Sequence, residues 1–136
     1  MTDDSKRIFT SYPELASFIA ELIGVDGWEG DTEYFPFSSD DASKGFLEIV
    51  YPVAAASGRL LRGAAGNGPI FIFLYCRGAW TYLGEMHGAK VEAVATSTIT
   101  EFKTYAHISA TTWIERLYRL SGGAYVCVME TDVSSE

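Results

Sequence analysis

The chain has 136 residues, 48% of them apolar and 14% aromatic, which is enough for one domain with its own core and no disulfide or metal support. Its formal net charge is −8 and its pI about 4.7. That balance speaks against nucleic acid and against anionic membranes, both of which are held by clusters of Lys and Arg, and suits a basic protein partner better.

The charge is uneven: residues 1–60 hold eleven acidic and four basic side chains, residues 61–136 seven and six. The N-terminus, MTDDSKR, is polar, and no apolar stretch follows it that is long enough for a signal peptide or a membrane span, so a cytoplasmic protein is expected. Residues 1–136 read as a single domain with a loosely ordered start (1–10) and a C-terminal tail (131–136). Cys76 and Cys127 lie singly in apolar runs without a paired spacing, which predicts two reduced thiols with Cys127 buried.

Residues 12–23 are the clearest helix, because Leu15, Phe18, Ile19, Leu22 and Ile23 form one apolar stripe. Ser11 and Glu14 have capping-box spacing, Pro13 suits a first turn, and Gly24 suits a terminator. An acidic segment follows, with turns at Asp26-Gly27 and Glu29-Gly30 and an extended piece at 32–37 that Pro36 confines to a sheet edge or a bulge. Residues 38–45 are a polar loop. Residues 46–53 read as a strand in which Phe46, Glu48 and Val50 alternate with Leu47, Ile49 and Tyr51. Val53, Ala56, Leu60, Leu61 and Ala64 then fit a short helical stripe weakened by Gly58 and Gly63. Gly66-Asn67-Gly68-Pro69 ends it.

The run IFIFLYC at 70–76 is apolar on both faces, as a central strand covered by two layers would be, and Arg77-Gly78 predicts a tight hairpin into 79–85. Residues 89–106 are rich in Val, Thr and aromatics and too long for one strand, which predicts two strands or one bent strand. Thr112 and Glu115 again show capping-box spacing. With Trp113, Ile114, Leu117 and Leu120 inward and Gly122-Gly123 as terminator, they predict a last helix, followed by a strand at 125–129. The sum is an α+β fold: a single layer of antiparallel or mixed sheet, about five to six strands, with two to three helices mainly on one face.

No motif fixes a chemistry. Glu85, His87 and His107 lack a metal-ligand spacing, and the acids of 26–41 do not fall at calcium-loop positions. Neither cysteine has the polar setting of a nucleophile, and no serine lies in a nucleophile elbow. The glycine-rich run 63–68 lacks the lysine of a phosphate-binding loop and reads as a turn. No cofactor is implied. Arg59, Arg62, Arg116 and Arg119 are expected to pair with surface acids.

Two candidate sites remain. The first is the acidic, aromatic segment, whose Trp28, Glu29, Asp31, Glu33, Tyr34, Asp40 and Asp41 would form a partner-binding surface, aromatic anchors within a charged rim. The second is an aromatic pocket between sheet and helices, with Tyr75, Trp80 and Tyr82 as walls and Glu85 or His87 as polar groups; core packing is the competing use of those rings. The expected function is a non-enzymatic interaction domain, inhibitor- or immunity-type, for a basic partner. A small-molecule binder or enzyme and a homo-oligomerising accessory domain are the alternatives; the sequence leaves the oligomeric state open.

Overall fold

The computed structural model describes residues 7–63, 65–94 and 98–134. Where local signals agree, the chain follows them: Tyr12–Ile23 is a helix, α1, capped by Ser11, with Pro13 in its first turn and Gly24 closing it. The Ser11 hydroxyl accepts from the Glu14 N–H at 3.4 Å and donates to the Glu14 carboxylate at 2.9 Å. Leu15, Phe18 and Ile19 are buried. Among the described residues no helix is long and apolar enough to cross a membrane.

The described residues also form nine strands: β1 (Ile8–Phe9), β2 (Trp28–Pro36), β3 (Phe46–Ala55), β4 (Gly68–Cys76), β5 (Ala79–Gly88), β6 (Lys90–Val94), β7 (Glu101–His107), β8 (Thr112–Ser121) and β9 (Ala124–Ser134). They form two antiparallel sheets, ordered β1-β5-β4-β3-β2 and β6-β7-β8-β9. The expected single sheet with two to three helices is therefore wrong: the described chain is mostly β, with one α-helix and a 3-10 turn at Ala42–Lys44.

The layers follow from strand alternation. Ile70 and Ile72 of β4 pack with Leu47, Ile49, Met86, Phe102, Tyr118 and Tyr125 between the two sheets. Phe71 and Phe73 face the other way, against Leu15, Phe18 and Ile19 of α1. The first sheet is thus sandwiched between a helix and a second sheet, which is why its central strand is apolar on both faces. The second sheet is reached at a corner. The Ala89 N–H donates to Tyr105 O at 2.7 Å, and a Cβ at Gly88 would stand 3.0 Å from both the Thr104 Cβ and Tyr105 O, so only glycine lets β5 pass this close to β7.

Three local expectations fail for tertiary reasons. Thr112–Ser121 is a strand, not a helix. Its sequence also carries a period of two, with Ile114, Arg116 and Tyr118 facing Ala106, Thr104 and Phe102 of β7. Gly122-Gly123, read as a helix terminator, is the two-residue turn of the β8–β9 hairpin, with φ of 62° and 88°, the positive pair that a type I′ turn requires. The expected helical stripe after residue 53 is absent too: β3 runs to Ala55, a turn follows, and Leu60 bridges back to Ala54, while Ala64 lies outside the described residues. Cys127 is exposed, not buried, because β9 is the edge strand of the second sheet. Residues 1–6 of the expected loose start and 135–136 of the expected tail also lie outside the described residues; Thr131 to Ser134 continue β9.

Candidate functional site

Strand β2 carries most of the acidic segment and occupies an edge of the first sheet, pairing only with β3. Alternation distributes its side chains to both faces. Trp28 is turned inward: its indole N–H donates to Ala16 O of α1 at 2.9 Å, and the half-buried ring packs on the helix layer. Glu29 is exposed opposite Ala54, and the register shifts between Glu29 and Gly30. Beyond that bulge Asp31 sits opposite Tyr51, on the face turned toward the second sheet, while Tyr34 sits opposite Glu48, on the helix face. Asp40 and Asp41 are engaged in their own loop. Asp40 accepts from the Ser38 hydroxyl at 2.6 Å, and Asp41 caps the 3-10 turn by accepting from the Ser43 N–H at 3.0 Å; the Ser43 hydroxyl, followed by this N–H, lowers the Asp41 pKa. The seven expected surface residues therefore do not form one patch. Glu29, Asp31 and Glu33 remain as an exposed acidic row.

That row borders an open cleft of about 490 Å³ lined by Asp31, Glu33, Tyr51, Val53, Arg62, Gly66 and Ala89. The Tyr51 hydroxyl donates to Glu33 Oε1, and burial together with this carboxylate raises the Tyr51 pKa far above the ordinary phenol value. Arg62 does not pair with the acids as expected. Its guanidinium donates to five carbonyl oxygens, those of Gly66 (2.8 Å), Pro69 (2.9 Å), Pro52 (3.4 Å), Gly68 (3.4 Å) and Gly88, and lies 5.7 Å from the Tyr51 ring centre. This cation stitches the 62–69 loop to the ends of β3 and β5 and leaves the charge of Asp31 uncompensated. Arg116 and Arg119, by contrast, do pair with Glu130 and Glu101, each at 2.9 Å.

The five residues of the expected aromatic pocket separate along α1. Tyr75 and Trp80 meet in a tilted contact with ring centres 4.7 Å apart. Tyr82 fills the core beneath the helix, 4.9 Å from Phe18 and 5.4 Å from Phe73, and burial followed by the charge of Glu85 pushes its pKa up to about 12. Glu85 and His87 line a different open cleft, of about 350 Å³, with Leu22, Ile23, Leu61, Pro69 and Phe71. Burial raises the Glu85 pKa; burial and the charges of Arg116 and Arg62 lower that of His87. Two such groups could exchange a proton with a ligand, and no Ser, Thr or Cys side chain lines this cleft. His107 stands on the other sheet, its backbone N–H and C=O both bound by the Asn67 side chain at 2.9 and 2.7 Å. Among the described residues no three His, Cys, Asp or Glu side chains are grouped to hold a metal ion.

Glu48 is the residue that sequence reasoning passed over. Its alternation with Leu47, Ile49 and Tyr51 marks it only as a strand residue, yet it is 3% exposed. The available signal was a single charge placed by alternation on the same face as Phe46 and Val50. Compared with protein families, curated proteins and solved structures, the chain matches none, so the residues themselves carry the functional reading.

Proposed function

We propose that this chain is a non-enzymatic protein-interaction domain, of the inhibitor or immunity type, that meets a basic partner protein along β2. The supporting observation is that an edge strand and exposed acids without an ion-pair partner among the described residues coincide. Glu29 and Asp31 are exposed on a strand with an open side, and among the described residues no Lys or Arg forms an ion pair with either, whereas the pairs Lys103–Glu115, Arg116–Glu130 and Arg119–Glu101 lie in the second sheet. A strand edge can accept a partner strand through its backbone, and carboxylates beside it steer a cationic surface into place. The test is capture of a partner by the immobilised protein, followed by binding kinetics of Glu29→Gln/Asp31→Asn/Glu33→Gln. Association should slow about tenfold or more at low salt and lose its salt dependence, with dissociation little changed. A captured partner that associates equally fast with parent and variant defeats the reading.

A second reading, homo-oligomerisation, has its own observation. Strand β9 is an 11-residue edge without Pro, Lys or Arg, and its Val126, Val128 and Met129 are exposed. Edges of that kind are open to pairing with another chain. Sedimentation of the parent and of Val128→Lys decides it: a dimer that dissociates in the variant supports it, a parent that stays monomeric at all concentrations removes it.

A further inference from the structure

At the end of the first sheet nearest the start of α1, five aromatic rings form a continuous series. Tyr34 of β2 lies 5.5 Å from Phe46 of β3, Phe46 lies 5.1 Å from Tyr75 of β4, Tyr75 lies 4.7 Å from Trp80 of β5, and Trp80 lies 6.1 Å from Tyr12 of α1. Within this series stands Glu48, opposite Tyr34 on one side and Phe73 on the other. Its Oε1 accepts from the Trp80 indole N–H at 3.0 Å, and its Oε2 is buried with no hydrogen-bond partner.

Core filling does not account for this arrangement. A buried carboxylate oxygen without a donor costs free energy that a valine or leucine would avoid, and the next residue on this face, Val50, shows that an apolar side chain fits beside it. The outer rings are not core residues either: Tyr34 is 59%, Tyr12 41% and Phe46 37% exposed. What the cluster offers is one carboxylate oxygen without a donor among several aromatic rings, of which Trp80 turns its N–H edge to the other oxygen. Such a set favours a cation with apolar flanks, because ring quadrupoles and carboxylate attract the charge while the rings cover the carbon. It disfavours a bare divalent metal ion, which needs several oxygens. Among the described residues no Lys or Arg forms an ion pair with Glu48.

We infer that this cluster is a binding site for an organic cation, an alkylammonium or guanidinium group that enters over Tyr75 and Trp80 and donates to Glu48 Oε2. Oε2 lies below the surface, so entry requires an outer ring to swing aside. Tyr12, Tyr34 and Phe46 form the rim, each more than one third exposed, and Tyr34, the most exposed of the three, is the ring proposed to move. The Glu48 charge is already felt at Tyr12, whose pKa is raised first by burial and then by this carboxylate. The inference stands on the cluster itself and holds whether or not β2 is an interface.

The experiment follows the Trp80 indole N–H resonance in the intact protein during titration with methylguanidinium and with butylammonium, using neutral methylurea as the control. A saturable shift with a cation and none with methylurea is expected. Glu48→Gln, which keeps an acceptor for Trp80, should weaken binding about tenfold or more, and Tyr34→Ala, at an exposed rim position, several-fold. A parallel titration with short neutral peptides carrying one central Arg or Lys identifies the source: tighter binding than by the free cations assigns the site to a partner's side chain, equal binding to a small ammonium or guanidinium ligand. No saturable shift with any cation, an equal shift with methylurea, or unchanged binding by both Glu48→Gln and Tyr34→Ala overturns the proposal.

Discussion

The indole N–H of Trp80 donates to one oxygen of Glu48 at 3.0 Å, while the other oxygen of the same carboxylate is buried without a partner. Burial raises the Glu48 pKa despite the Trp80 bond. The folded state therefore favours the protonated acid, so its contribution to stability is complete below the ordinary carboxyl range and is lost as pH rises through the raised value. Glu48→Gln should remove this loss. Denaturant midpoints measured from about pH 4 to about pH 7 should fall for the parent relative to the variant, leaving Glu48→Gln about 1 kcal/mol more stable at neutral pH.

Trp28 lies against α1 through its bond to Ala16 O, so its removal should act on the fold. Trp28→Ala should cost about 2–4 kcal/mol by equilibrium unfolding, from lost packing and one lost hydrogen bond. Glu29→Gln, exposed on the same strand, should leave the midpoint within about 0.5 kcal/mol. Equal stability of Trp28→Ala and parent would place the ring outside the core.

Arg62 holds five carbonyl groups with one planar head. Lysine carries the charge but cannot match that fan of donors. Arg62→Lys should therefore destabilise by about 2–3 kcal/mol and speed amide exchange in residues 62–69. Parent-like stability and exchange would show that the loop is held by other contacts.

The β8–β9 hairpin predicts its own mutational signature at the turn, where Gly122 and Gly123 both have positive φ. Gly122→Asn should be nearly neutral, while Gly123→Val should cost about 1–2 kcal/mol, since a β-branched residue resists that conformation. Far-ultraviolet circular dichroism should show a β-dominated spectrum with little more helix than the twelve residues of α1. A markedly helical spectrum would restore the helix at 112–120.

Cys127 is exposed on β9 and Cys76 is partly buried, so the thiol expected to be buried is the more accessible of the two. A thiol reagent added without denaturant should modify Cys127 first, as read by mass spectrometry of the labelled peptides. Modification of Cys76 ahead of Cys127 would contradict the exposed edge.

Local order was sufficient for α1, where apolar spacing, Ser11, Pro13 and Gly24 all act within one short segment, and for the β4–β5 hairpin turned by Arg77-Gly78. It was also sufficient for the acidic surplus of the first half, whereas Pro36 left an edge or a bulge open for β2 and proline alone does not decide between edge and interior, since Pro52 and Pro69 stand in the inner strands β3 and β4. Tertiary structure alone decided the rest. In residues 112–121 the apolar side chains fit periods of 3.6 and 2 alike, and the helical reading treats Arg116 as a solvent-facing residue. The strand is held by its ladders with β7 and β9, in which Arg116 stands opposite Thr104 and Glu130, fourteen residues away, and meets the Glu130 carboxylate at 2.9 Å. No short window contains both partners of that pair. The same holds at the sites: Trp28 is an anchor or a core ring depending on where α1 lies, and Glu48 is an ordinary strand residue until Trp80, thirty-two positions on, bonds one oxygen and leaves the other bare. Side-chain type is written locally, but burial and partnership depend on which distant segment covers the residue, and that is settled only when the two sheets and the helix pack together.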